Sequence, residues 1–126
     1  KHIVFDRCWD LSFSSHPLII DNDQQTFEEA IKTTYKREWF TNDFNLKINF
    51  LDKYHYKEFD EESKFFEHEI NYLYLVEIEQ IPKNNLEFSY DMQVIKINDL
   101  PKKLNQLDFA PWVKKINFKK IMNFLL

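Results

Sequence analysis

Residues 70–76 are apolar or aromatic except for Asn71, and the polar residues Glu67, His68 and Glu69 precede them, a pattern typical of a buried β-strand with a polar leading end. Successive side chains of an extended chain point to opposite faces, so Glu67 and Glu69 share one face, about 7 Å apart along the strand. Leu73 continues that face with an apolar side chain. The pattern predicts a long, mostly buried central strand over residues 66–79 with two carboxylates at its leading end.

The remaining pattern predicts further strands and helices. Apolar residues at helical spacing predict a helix over about 26–40, with Thr26 as N-cap and Glu29 completing a capping box. We expect Thr41-Asn42-Asp43 to close this helix. The other expected elements are extended pieces at 3–5 and 9–13, a strand at 44–57, a hairpin connection at 58–64, a loop at 82–85, a strand at 92–97, a short helix at 98–106 and a C-terminal helix from Pro111. Strands with interspersed helices predict an α/β or α+β fold.

Length and charge narrow the class of protein. The 126 residues, 44% of them hydrophobic, suit a single domain over residues 1–126. A net charge of −4 gives no electrostatic footprint for nucleic acid. No apolar run approaches the ~20 residues that span a bilayer, so we expect no membrane span. The single cysteine, Cys8, excludes an internal disulfide framework and predicts an intracellular protein, either cytoplasmic or organellar.

Glycine is absent from the chain. Average usage would give roughly nine glycines in a chain of this length. Loops whose backbone closely approaches a phosphate depend on glycine, because it has no side chain and tolerates positive φ. Any site built on a glycine-rich phosphate loop is therefore excluded.

The paired acids Glu67 and Glu69 are the first candidates for chemistry. Two carboxylates at the mouth of an otherwise apolar strand can hold a metal ion or move a proton. The alternative interpretation is a solvated strand end without a function of its own. The pattern of residues along this strand does not distinguish a site at Glu67 and Glu69 from a solvated strand end.

Four short motifs follow one another along most of the chain. They are Ser14-Ser15-His16-Pro17-Leu18 after Trp9, Tyr54-His55-Tyr56-Lys57, Glu67-His68-Glu69-Ile70-Asn71-Tyr72, and Ala110-Pro111-Trp112. In order and spacing they resemble the Ser-His-Pro-Leu, His-Tyr-Lys, Glu-His-Glu-Ile-Asp-Tyr and Thr-Pro-Trp motifs of the type I isopentenyl-diphosphate isomerases, which have the Nudix fold. The resemblance implies a mixed β-sheet sandwiched between helices.

The resemblance also implies catalytic roles. Enzymes of this family convert isopentenyl diphosphate to dimethylallyl diphosphate, by protonating one carbon and deprotonating another on opposite sides of the substrate. By position, Glu69 corresponds to the acid/base glutamate, and Tyr56 is its neighbour. Trp112 corresponds to the aromatic residue that steadies a carbocation, and Ser14 stands at the position of the family's catalytic cysteine.

A divalent metal, Mg²⁺ or Mn²⁺ or Zn²⁺, is part of the implied site. The residues that match its ligands are His16, Glu67 and Glu69, together with Glu38, which in the family binds the metal with the diphosphate. No other cofactor is implied.

Ser14 is the first departure from the family. A thiol is far more acidic than a hydroxyl, and a proton-transfer group works best with a pKa near the operating pH. Serine without a paired base cannot readily take over that role. Cys8 lies six residues earlier, about 20 Å away along an extended strand, and is no substitute unless the chain folds back sharply.

The helix expected at 26–40, which corresponds to the family's Nudix helix, also differs from the family's motif. Thr33 and Thr34 stand where relatives carry an arginine pair or Arg-Glu, and Phe40 replaces the helix-ending glycine. A second register aligns Glu29 and Arg37-Glu38 with the motif, but Thr41 and Asn42 then replace its acids. Loss of the arginine pair removes charge-assisted contacts to a diphosphate.

The family takes two more metal-binding histidines and basic diphosphate contacts from a segment upstream of Trp9. No stretch of this chain matches that segment. We therefore expect a Nudix-like domain without the family's N-terminal segment, a trimmed or processed piece whose incomplete sheet edge is covered by another protein chain or by a segment outside this sequence.

These observations leave two main hypotheses. The first is a degenerate, non-catalytic isomerase-like domain without a cofactor, which serves as a structural or interaction subunit and binds other protein chains. The second is an active, divergent isomerase that binds isopentenyl diphosphate and a divalent metal. A Nudix pyrophosphohydrolase is a weaker third. On the plainer interpretation His16 caps a turn, His55 and His68 are surface or packing residues, and Trp112 belongs to the core.

Overall fold

A computed structural model describes residues 4–41 and 45–125. Its elements in chain order are β1 (Ile19–Ile20), β2 (Asp23–Gln24), α1 (Phe27–Glu38), β3 (Trp39–Phe40), β4 (Lys47–Phe59), β5 (Phe66–Glu77), β6 (Lys83–Asn84), a 3₁₀ turn (Ile97–Asp99), α2 (Leu100–Leu104), α3 (Pro111–Lys114) and α4 (Phe118–Leu125). The strands of the described residues form the two-stranded sheets β1–β2, β3–β6 and β4–β5. The fold is therefore mixed α and β with small antiparallel sheets.

Helix α1 forms where its capping sequence predicts it. The Thr26 hydroxyl accepts a hydrogen bond from the Glu29 backbone N–H at 3.2 Å, and the Glu29 carboxylate accepts one from the Thr26 N–H at 2.8 Å. This capping box satisfies two backbone donors of the first turn. The helix buries Ala30, Thr34 and Tyr35.

The end of α1 differs from the prediction. The helix stops at Glu38, because Trp39 is extended, with φ −128° and ψ 137°, and pairs with Asn84 of β6. The loop expected at 82–85 therefore contains a strand. Asn42 and Asp43, part of the expected helix end, lie outside the described residues.

The long strands β4 and β5 form an antiparallel hairpin. The side chain of Asn49 lies beside that of Glu77, and His55 lies beside His68. The two strands therefore run in opposite directions. Burial alternates along β5 from Phe66 to Leu73 as the sequence pattern predicts, with the face of Glu67 and Glu69 half-buried. The expectation of a mostly buried strand was wrong, because a two-stranded sheet packs one face only and leaves the opposite face exposed.

Three more predicted elements were wrong. Residues 92–96 form no strand, because an apolar run needs a pairing partner as well as β propensity. The extended piece at 9–13 is reduced to an isolated bridge between Trp9 and Phe109. The C-terminal helix is interrupted at 115–117, where the Asn117 side chain accepts a hydrogen bond from the Lys120 N–H at 3.2 Å and begins α4 as an N-cap does.

The chain divides into two compact units. The first comprises residues 1–10, 50–74 and 93–126, and the second comprises residues 11–49 and 75–92. The buried core of the first unit consists of Tyr56, Phe109, Ala110, Trp112, Val113 and Ile116. In the second unit the ring of Phe13 lies 5.7 Å from that of Tyr35 on α1, and Asn85 donates a hydrogen bond to the Arg37 carbonyl at 3.2 Å. The expectation of a single domain stays a prediction.

Candidate functional site

Three of the predicted site residues meet in the first unit. Tyr56 lies on the inward face of β4 and is 3% exposed, and its hydroxyl donates a hydrogen bond to the Glu67 carboxylate on β5. The ring of Tyr56 lies 5.8 Å from that of Trp112 at 54°. The alternation of both strands places these side chains on the same face of the hairpin, which packs on the core of this unit.

Burial and charge keep the Tyr56 hydroxyl protonated. Burial raises its pKa well above the ordinary value, and the hydrogen bond to Glu67 and the charges of Glu67 and Glu69 raise it further. A protonated hydroxyl is a donor, so Tyr56 cannot act as a base near neutral pH. The pKa of Tyr54 is raised to about 12, mainly by burial and by the charge of Asp10.

Trp112 is a core residue in this structure. Its indole and the Phe5 ring lie 5.8 Å apart in a T-shaped arrangement at 74°, Tyr56 packs against it, and it is 9% exposed. Its indole N–H donates a hydrogen bond to Asp10 Oδ1 at 2.7 Å. The aromatic neighbours therefore hold the indole ring in place, and Asp10 accepts the hydrogen bond of its N–H group.

Asp10 was missed by the sequence reasoning. It supplies the acceptor that a buried tryptophan N–H requires, and it is 102 positions away from Trp112 in the chain. The need for an acceptor could be foreseen from a buried tryptophan, but nothing in the local sequence identifies which residue provides it.

Glu69 also lies in the first unit, on the same face of β5 as Glu67, whereas the remaining predicted site residues belong to the second unit. Ser14 and His16 are exposed and lie in a segment without regular structure. Glu38 ends α1 and forms an ion pair with Arg37 at 2.6 Å. Within residues 4–41 and 45–125, no group of three or more His, Cys, Asp or Glu side chains could hold a metal ion. The metal ligands proposed from the resemblance, His16, Glu67, Glu69 and Glu38, stay a prediction.

Asp60 organises the connection between β4 and β5. Its carboxylate accepts hydrogen bonds from the backbone N–H groups of Phe5 at 3.0 Å, Glu62 at 3.2 Å and Ser63 at 3.2 Å. Hydrogen bonds from Ser63 and then Phe5 hold its pKa below the ordinary value. Asp60 thus ties the N-terminal segment of the first unit to the hairpin turn.

A cavity of about 440 Å³ lies between the hairpin and α4 in the first unit. Two lysines at its wall are neutralised, since Lys120 pairs with Asp52 at 2.7 Å and Lys115 with Glu58 at 3.1 Å. Its apolar lining residues are Leu51, Leu73, Ile116, Ile121 and Phe124. None of the predicted catalytic or metal-binding residues lines this cavity.

The exposed face of the hairpin is aromatic and basic. We call it the outer face, and its residues are Lys53, His55, Lys57, Phe66, His68, Ile70 and Tyr72. Lys53 Nζ lies 5.5 Å from the centre of the Tyr72 ring, and Lys57 Nζ lies 5.1 Å from the centre of the Phe66 ring. Such cation–π contacts hold the ammonium groups above the aromatic surface.

The described helices include none with the length and apolar content needed to cross a bilayer. Comparison of the chain with protein-family models, curated proteins and solved structures finds no match. The resemblance to the isopentenyl-diphosphate isomerases therefore stays a prediction.

Proposed function

We propose that this chain is a degenerate isopentenyl-diphosphate isomerase-like domain of the Nudix type, without catalytic activity, that serves as an interaction subunit for another protein chain. The observation that carries the proposal is the packing of Trp112. A tryptophan that steadies a carbocation must offer its face to the cation within about 6 Å. Here Phe5 and Tyr56 lie against the Trp112 ring, and it is 9% exposed.

The serine at position 14 supports the proposed absence of isomerase activity. The family reaction needs a proton-transfer group opposite the glutamate, and a serine hydroxyl is a poor one without a paired base. The exposed position of Ser14 also lacks the burial that tunes the pKa of catalytic groups.

The outer face supports the interaction role. Phe66 is 53% exposed, Ile70 58% and Tyr72 41%, so several large apolar side chains contact solvent side by side. Contiguous apolar surface of this kind marks interaction sites in proteins. The outer face contains two lysines and no carboxylate, although the chain as a whole carries a net charge of −4. The complementary partner is a protein whose surface presents apolar side chains bordered by carboxylates.

Site-specific photo-cross-linking tests this proposal. A photoreactive amino acid in place of Ile70 is expected to capture one protein at near stoichiometric yield in the cells that express the chain. The same group in place of Ile81, which is 64% exposed and lies in the second unit, is the matched control. The purified partner is then titrated against the native chain and against Lys57→Glu.

The charge reversal is expected to weaken that complex about tenfold, or about 1.4 kcal/mol. Lys102→Glu, at an exposed position on α2, should leave the affinity unchanged. Equal cross-linking from Ile70 and Ile81, or equal affinity of the native chain and Lys57→Glu, would overturn the interaction role.

One observation favours a second candidate, an active isomerase. Tyr56, Glu67 and Trp112 lie together, and the charge of Glu69 acts on Tyr56. In that case Glu69 would transfer the proton, and Tyr56 would hold Glu67 by its hydrogen bond. The family's metal would neutralise the substrate diphosphate, but the two carboxylates gathered here are fewer than the ligands of a complete site, so we derive no step through it.

A further inference from the structure

The two imidazoles of the outer face converge on one point. His55 on β4 and His68 on β5 are cross-strand neighbours, with Nε2 atoms 2.6 Å apart and ring centres 4.7 Å apart at 74°. Both side chains are exposed. His68 points away from the face that carries Glu67 and Glu69, because side chains alternate along a strand.

We propose that His55 and His68 form a chelating site for a late first-row divalent metal ion, with Cu²⁺ bound most tightly. Imidazole nitrogen is a preferred ligand of Cu²⁺, Ni²⁺ and Zn²⁺, and affinity rises to a maximum at Cu²⁺ along this series. The protein supplies two nitrogen ligands, and water completes the coordination. The inference does not rest on the proposed function.

The geometry requires only a small adjustment. Metal–nitrogen bonds of about 2.0–2.1 Å with an angle of about 90–110° set two nitrogens about 2.8–3.4 Å apart. The present 2.6 Å separation therefore has to open by less than about 1 Å, which rotation of two exposed side chains provides.

The proton balance is also simple. At 2.6 Å one Nε2 donates a hydrogen bond to the other, so the donor ring carries a proton on Nε2. Metal binding requires a lone pair on both Nε2 atoms. The donor ring supplies it when its Nε2 proton moves to Nδ1 or to solvent.

The positive charges of the neighbouring lysines influence which metal ions can bind. Lys53 and Lys57 flank His55 on β4, and no carboxylate lies on the outer face. Hard cations that need oxygen ligands, such as Mg²⁺ and Ca²⁺, are therefore disfavoured. A Cu²⁺ ion held mainly by covalent bonds to nitrogen tolerates these charges better.

The test uses Cu²⁺ alone and a chain that keeps only two of its four histidines, by His2→Ala and His16→Ala. Calorimetric titration is expected to give one Cu²⁺ per chain, and the electron paramagnetic resonance spectrum should show coupling to two imidazole nitrogens. A further His55→Gln or His68→Gln change should each raise the Kd at least about tenfold, because a chelate loses its advantage when either arm is removed.

A millimolar excess of Mg²⁺ should not displace the copper. Bound Cu²⁺ should raise the Tm of the two-histidine chain and not that of the His68→Gln variant, because a ligand of the native state stabilises it. Equal Kd values for the two-histidine chain and either single-histidine variant, or a spectrum with one imidazole nitrogen or none, would overturn the proposal. No partner protein is involved, so either result leaves the interaction role standing.

Discussion

The Trp112 indole N–H donates a hydrogen bond to Asp10 Oδ1 across 2.7 Å. This contact joins the start of the first unit to α3, whose first residues pack into the buried core. Trp112, which the family resemblance assigns to catalysis, is also part of that core.

Asp10→Ala is expected to destabilise the chain by about 1–3 kcal/mol, because a buried N–H then loses its acceptor. Urea unfolding followed by circular dichroism measures this difference. In a Trp112→Phe background no N–H remains to be satisfied, so the same Asp10→Ala change should cost much less. Equal costs in the two backgrounds would show that Asp10 acts through some other contact.

Tyr56→Phe removes the hydroxyl that donates to Glu67 and leaves a half-buried carboxylate without this donor. We expect a loss of stability of about 1–3 kcal/mol. The loss should shrink when Glu67→Gln is introduced as well, because a neutral amide needs less compensation than a carboxylate. An undiminished loss in the double variant would place the effect of Tyr56 in its ring packing alone.

The capping box of α1 gives a local prediction. Thr26→Ala should lower the free energy of unfolding by about 1 kcal/mol, because the hydroxyl that accepts from the Glu29 N–H is lost. Thr26→Ser keeps the hydroxyl and is the matched control. A Thr26→Ser variant as unstable as Thr26→Ala would argue against the hydrogen bond as the cause.

The ionisation of Asp60 predicts how the stability of the chain changes at acid pH. Its pKa in the folded chain lies below the ordinary value of 3.8, so its contribution to stability is fully present above that value. The contribution is lost as the pH falls through the folded-state pKa, because the unfolded chain then binds more protons. Asp60→Asn should therefore flatten the acid limb of stability measured by denaturant unfolding, whereas Asp91→Asn, at an exposed position, should preserve it.

The ionisation of Tyr54 predicts how the stability of the chain changes at alkaline pH. Its pKa is raised from 10.0 to about 12, so the folded chain keeps its proton longer than the unfolded chain. Stability from this group is complete below pH 10 and declines as the pH rises toward 12. Ultraviolet titration should show a tyrosine transition near pH 12 that disappears in Tyr54→Phe, while the still later ionisation of Tyr56 is retained. A transition near pH 12 that persists in Tyr54→Phe would contradict this assignment.

Local patterns predicted the elements that depend on local chemistry. The capping box at Thr26 and Glu29 predicted the start of α1 within one residue. The mostly apolar run after Glu69 predicted β5, and the geometry of an extended chain predicted the shared face of Glu67 and Glu69. These signals arise within a few residues of the atoms they describe. The sequence can therefore carry them without knowledge of the tertiary structure.

The rest depends on partners distant in the chain. Trp39 leaves the helix because Asn84 pairs with it, and the apolar run at 92–96 remains unpaired although its composition favours a strand. The acceptor of Trp112 and the convergence of His55 on His68 likewise involve residues on different elements. Periodicity identifies which side chains share a face but not what covers that face.

Hydrogen exchange at substrate carbon is the most direct test of the central claim, that this domain has lost its isomerase chemistry. Isopentenyl diphosphate is incubated in heavy water with Mg²⁺ or Mn²⁺ and either the native chain or Glu69→Gln, and deuterium in the recovered substrate is measured by mass spectrometry. We expect the native chain to incorporate no more deuterium than Glu69→Gln. Incorporation by the native chain that Glu69→Gln abolishes would contradict the account and establish an active isomerase.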